Sequence, residues 1–262
     1  MDTLRLFIGR YQMAIFVLLA YVFSWALIIP ADGGLIPHGP MIAAFIVLAV
    51  VSGRRGVSGL WQQMTRWRVE WKWYLLAPGI FIALHLSTLL ISLAFGARIT
   101  NTAHLQSPPA YLGVVVPLLL FGGQWEEPGW TGFALRRIQE RIPQAPLVAS
   151  LVTALIRMVW HTPLLLYGTI PWYDFIFYSF ALQLILSWLY NRSDGSVLIV
   201  MIGHLFSNLV FATVYPLLSI SDQGQYWMLF VIIAWVYVLG LLIATRGDLS
   251  ARKERMPETA IS

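Results

Sequence analysis

The chain has 262 residues, 58% of them hydrophobic, 11% charged and none of them cysteine. Soluble domains carry roughly a quarter charged residues, so the composition excludes a soluble globular domain, and the absence of cysteine excludes disulfides, thiolate metal ligands and a cysteine nucleophile. The formal charge of +5 matters less than where the charges fall, and it gives no reason to expect a nucleic-acid partner.

Crossing a hydrocarbon core of about 30 Å takes roughly twenty mostly apolar residues. Taken in chain order, the candidates are Tyr11–Pro30, Pro37–Ser52, Trp73–Phe95, Tyr111–Gln124 with an extension to Leu135, Pro146–Tyr167, Trp172–Tyr190, Val197–Leu218 and Trp227–Thr245. The first run is too long for a signal-peptide core and no small-residue cleavage site follows it, so it reads as a retained span. The expected class is all-α: a polytopic membrane protein with about eight transmembrane helices. Residues 1–248 form one domain, and the polar stretch 249–262 reads as a cytoplasmic tail. The linker from Gly53 to Lys72 interleaves basic residues with Trp, Leu and Met, a composition that suits an interfacial helix or an anchored inner loop.

Basic residues test this count. With the N-terminus inside, the inner segments hold Arg5, Arg10, Arg54, Arg55, Arg66, Arg68, Lys72, Arg136, Arg137, Arg141, Arg192, Arg246, Arg252, Lys253 and Arg255. The outer segments hold only Arg98, and Arg157 lies within a span. A wrong count would mix the two sides. Both termini are therefore expected in the cytoplasm of an integral membrane protein, with the plasma membrane as its place and membrane lipids as its surroundings.

Ionisable groups at membrane depth cost several kcal/mol unless paired or hydrated. Five such positions stand out, Glu126, Glu127, Arg157, His161 and His204, with Asn208 as a neutral companion. The glutamates sit in LLLFGGQWEEPGWTGFAL, where Pro128 lacks an N–H and predicts a break or restart of the helix. A restart places both carboxylates beside a helix N-terminus; the blander reading is a pair capping Pro128–Arg141. Arg157 and His161 are four apart and share a helical face. A buried arginine needs an anion, and the glutamate pair is the one at similar depth. His204 and Asn208 are also four apart and point one way.

At about 1.5 Å per residue, Glu126 lies about 14 Å from the inner boundary, His204 about 12 Å and His161 about 22 Å, so a tilted fifth span is needed to bring His161 level. A carboxylate beside a histidine can activate water, while a second histidine and an amide can stabilise an oxyanion. Glu126, His161 and His204 would equally supply three ligands to a catalytic zinc. The HExxH spacing is absent, so both chemistries stay open at this point.

These residues resemble the motifs of the CAAX protease and bacteriocin-processing family (CPBP or Abi), which includes the type II CAAX prenyl endopeptidases. The first family motif, commonly EEPGWRG, reads EEPGWTG at Glu126–Gly132; the second reads WHTP at Trp160–Pro163; the third reads HLFSN at His204–Asn208. The likeness spans most of Trp73–Leu218. It implies an intramembrane endopeptidase in which Glu126 and His161 activate water, Glu127 supports that pair, and His204 and Asn208 form the oxyanion site, with no metal required. The implied substrate is a peptide or protein segment at the inner membrane face, reached through a cavity open to the cytoplasm.

Two departures stand out. Thr131 occupies the place of the motif arginine, and Arg157 stands where an aromatic or apolar residue is usual. The expectation is that Arg157 restores the missing positive charge from the neighbouring helix. The rival readings are a non-catalytic relative with a binding, immunity or scaffold role, and a proton-coupled transporter, although the inverted repeats common in transporters are not seen.

Overall fold

The computed structural model describes residues 2–26 and 34–250. Helices follow one another as α1 (Asp2–Arg10), α2 (Gln12–Trp25), α3 (Gly39–Met64), α4 (Lys72–Ala94), α5 (Pro108–Phe121), α6 (Glu127–Gly129), α7 (Arg136–Arg141), α8 (Pro146–Trp160), α9 (Thr162–Leu166), α10 (Ser179–Arg192), α11 (Val197–Val214) and α12 (Ile220–Thr245). Among the described residues there is no strand, and an isolated antiparallel bridge joins Ile99 to Leu218. The all-α class is as expected. Four helices are long and apolar enough to cross a membrane, namely α3, α4, α12 and α11 with its extension to Leu217, while α2 and α8 are shorter apolar helices. Exposed Leu18, Leu90, Leu120, Val236 and Leu239 give the bundle the outward apolar surface that lipid requires.

Local chemistry sets the helix ends. Ser107 accepts from the Ala110 N–H at the start of α5, and Ser196 accepts from the Ile199 N–H at the start of α11, as N-caps do. Prolines open α5 and α8 where a missing N–H costs nothing. The Gly53–Lys72 linker is not a separate loop. Helix α3 bends at Gly53 (φ 59°, ψ −147°) and continues to Met64, burying Leu60, Gln63 and Met64 while Trp61, Trp67 and Trp71 stay exposed.

The fourth expected segment breaks earlier than its proline suggested. Helix α5 stops at Phe121, Gly122 is extended (φ −80°, ψ 167°), and Gly123–Glu126 forms a 3₁₀ turn. Pro128 lies in the first turn of α6, the position a proline tolerates best. A π-helical turn, Trp130–Leu135, then leads into α7. Breaking a helix at membrane depth strands carbonyls. Here the Gln124 side-chain amide donates to Leu118 O and Leu119 O at 2.7 and 3.0 Å, and the Trp125 indole donates to Leu119 O at 2.9 Å.

Hydrogen bonds collect the helix ends on two opposite faces. On one, Arg5 Nε donates to Val51 O, Arg66 Nη1 to Asp194 O, Ser196 Oγ to Arg66 O, and Arg192 Nη2 to Asp248 O. On the other, the Arg98 N–H donates to Asp222, Thr100 N–H to Leu217 O, and His104 Nε2 meets Thr213 O. The first of these faces holds the arginine-bearing ends assigned to the inner side. Leu249, expected to begin the tail, is instead fully buried, with Asn191 donating to its carbonyl. Residues 251–262, with Arg252, Lys253 and Arg255, lie outside the described residues.

Candidate active site

The broken segment brings its glutamates into the middle of the bundle, between α8 and α11. Glu127 is fully buried and satisfied by three donors. Arg157 Nη1 reaches Oε1 at 3.0 Å, His204 Nδ1 reaches the same oxygen at 2.7 Å, and Thr131 Oγ1 donates to Oε2 at 2.6 Å. With Glu127 as a carboxylate, Nδ1 of His204 is the donor. Its 3.2 Å approach to Arg157 Nη2 is then a contact between two donors and not a bond.

Glu126 is held differently. Arg157 Nη2 binds its Oε2 at 2.7 Å, and its second oxygen has no hydrogen bond to the described residues. Arg157 itself is fully buried and also donates to Gln183 Oε1 at 3.3 Å. The expectation that Arg157 pairs with the glutamates across two helices is thus realised in the geometry. Thr131 still binds Glu127, but through a hydroxyl in place of a guanidinium.

Glu126, Arg157, His161, His204 and Asn208 all line one cavity of about 350 Å³. His161 stands at the end of α8, its ring against Trp160 at 4.8 Å. Its Nδ1 is buried without a hydrogen-bond partner, a state that costs about 1–3 kcal/mol unless water or ligand fills it. His161 makes no hydrogen bond to the glutamate cluster. It belongs to the cavity wall, while Glu126 and His204 form the floor.

Gly123 has a steric role in this floor. A Cβ built there would overlap the His204 imidazole and press on Asn208 Nδ2. Gly123→Ala is therefore expected to push His204 off Glu127 and remove activity while the protein still folds, which a near-wild-type melting curve alongside a cleavage assay would check. A Cβ at Gly129 would likewise overlap the backbone of Pro40 at the start of α3, so the glycine lets the motif pack closely on an early helix.

Glu126, Glu127 and His204 present ligand atoms within 4.8 Å of one another. His161, a ligand candidate on sequence grounds, is not in that group. The guanidinium of Arg157 already bonds both carboxylates, so the arrangement does not fit a divalent cation unless that side chain leaves.

Three polar residues near the cavity escaped the sequence reading. Gln183 accepts from Arg157 and binds Ser187 at 3.2 Å. Asp174 lines the cavity and accepts from Trp227 Nε1 at 2.8 Å. His85, deep in α4, bonds Tyr226 Oη at 2.9 Å and Ser207 O at 3.1 Å and stacks on Phe230 at 4.6 Å. The rule that flagged the other buried ionisable groups applies to His85 too. Ser207 in turn meets Tyr178 Oη at 2.6 Å on the cavity wall.

No curated protein matches the chain. A family model described as type II CAAX prenyl endopeptidase Rce1-like matches residues 108–210, from the start of α5 to near the end of α11. That stretch contains every motif residue of the cavity. In an all-helical membrane protein, the stretch that builds the site is therefore similar to the type II CAAX prenyl endopeptidase Rce1-like family.

Proposed function

We propose that the protein is an intramembrane endopeptidase that hydrolyses a peptide bond with Glu126 as general base, without a resident metal. The observation that carries this reading is the inequality of the two glutamates. Glu127 receives three donors and never reaches the cavity, while Glu126 receives one and keeps an oxygen for a water in the cavity. His161 lines the same cavity, and its imidazole can hold that water against a substrate carbonyl.

In the first step the water oxygen bonds to the carbonyl carbon and its proton passes to Glu126. The resulting oxyanion is stabilised by the Asn208 amide and, when the His204 ring is doubly protonated, by its Nε2–H. Collapse breaks the C–N bond, and Glu126 returns the proton to the leaving amine. Arg157 and Thr131 do not touch the substrate; they fix the two carboxylates. The substrate class is a peptide or protein segment at the membrane, and the proposed setting is the plasma membrane, with both termini cytoplasmic.

The test is cleavage of a quenched fluorescent peptide panel by protein reconstituted in liposomes, in ¹⁸O-labelled water. The expected result is ¹⁸O in the new carboxyl group, loss of cleavage in His161→Ala, and an unchanged rate after chelation. Loss on chelation with recovery on adding Zn²⁺ would overturn the metal-free reading. A His161→Ala variant as fast as wild type would overturn the assignment of that residue.

A further inference from the structure

The direction in which the cavity runs restricts where its substrate comes from. Distances along each helix can be taken from its arginine-bearing end at about 1.5 Å per residue. On α11, His204 lies about 10 Å from Val197, Asn208 about 16 Å and Ala212 about 22 Å. On α10 and the turn before it, Leu182 lies about 15 Å from Arg192 and Asp174 about 27 Å. On α12, Phe230 and Trp227 lie about 22 and 27 Å from Thr245. All of these line the cavity, as does Ile170 in the loop beyond α9. The cavity begins at the level of Glu126 and His204 and extends away from the arginine-rich face.

Toward that face the site is closed. Trp130, Phe133, Leu135, Leu186, Leu189 and Val200, all between 0% and 2% exposed, fill the levels between the glutamates and the arginines. The two hollows on the arginine side, one beside Arg55 and Arg136 and one beside Glu140 and Asp194, share no lining residue with the cavity.

We propose that the site is supplied from the arginine-poor face, through a mouth framed by Ile170, Asp174, Ala212 and Trp227. By the distribution of basic residues this is the extracytoplasmic side. Resting on the protease reading, the substrate is then a segment exposed outside the membrane, such as the outer flank of a membrane protein or an exported peptide, and not a cytosolic tail.

The chain contains no cysteine, so single cysteines can be placed without removing any. Ala212→Cys and Ile170→Cys report on the mouth, Gln106→Cys is the outer-face reference and Gln144→Cys the arginine-face reference. Each is exposed to a membrane-impermeant sulfonated maleimide in intact cells and in inverted vesicles. The expected result is labelling of the two mouth positions in intact cells, together with Gln106→Cys, while Gln144→Cys labels only in inverted vesicles. Mouth positions that label only in inverted vesicles, or under neither condition, overturn the proposal. The readout needs no hydrolysis, so a failed protease assay and a misplaced mouth remain distinguishable.

Discussion

Glu126→Gln is expected to lower kcat by about 10²–10⁴-fold, the range lost when a positioned general base is removed. Glutamine keeps the shape of the side chain and can still accept from Arg157 Nη2, now 2.7 Å from Oε2. What it lacks is the ability to take a proton from water. The melting temperature should therefore stay near that of the wild type. Glu127→Gln should behave differently, because that residue is fully buried and holds Arg157, Thr131 and His204. Its loss should lower stability as well as rate. Kinetics and thermal unfolding on both variants separate the two roles, and a Glu126→Gln enzyme with wild-type turnover would remove the proposed base.

Arg157→Leu carries the second large effect. Removing one partner of a buried ion pair costs about 3–5 kcal/mol, because the other charge is left uncompensated. Here two carboxylates lose one guanidinium, and Gln183 loses its donor. The variant should unfold at a clearly lower temperature and cleave nothing. Thr131→Arg offers a way back. Its Oγ1 already sits 2.6 Å from Glu127 Oε2, so a guanidinium from position 131 can reach the pair once position 157 is vacated. The double variant should recover part of the stability and part of the activity. In the wild-type background the same change should destabilise, since position 131 has no exposed surface and overpacking costs about 1–3 kcal/mol. A folded, inactive double variant would end the idea that the two positions exchange one charge.

Much of this architecture was legible in the residues. Apolar length marked the four membrane-length helices and the shorter α2 and α8, and the chain ends bearing Arg5, Arg66 and Arg192 make their hydrogen bonds on one face. The depth rule singled out Glu126, Glu127, Arg157, His161 and His204; the structure places four of them on one cavity and fully buried Glu127 behind it, bonded to Arg157 and His204. The mismatch in depth also had meaning. His161, expected to need a tilted helix to come level with the glutamates, lines the same cavity as Glu126 but makes no hydrogen bond to either glutamate.

Other features were not legible because they depend on partners far away in sequence. Pro128 looked like the breaking point, yet the break is at Gly122, where Gln124 and Trp125 can satisfy the freed carbonyls. A proline at the start of a helix and one within it look alike until the neighbouring hydrogen bonds are known. Gln183 is uncharged and so passed beneath a rule built on ionisable groups, although its carbonyl oxygen helps aim Arg157. Asp174, near the start of the sixth segment, drew no reading from the sequence and is part of the cavity wall.

The close seat of Gly129 on Pro40 has a consequence for modularity. Helix α3 braces the glutamate-bearing turn from outside residues 108–210, and His85 of α4 ties down α11 through Ser207. The stretch that carries the recognisable motifs is therefore not a portable unit. Excised or grafted into another bundle, it would keep its signature and lose its shape, because the surfaces that hold the glutamates in place are encoded some 40 to 90 residues earlier in the chain, at Pro40 and His85.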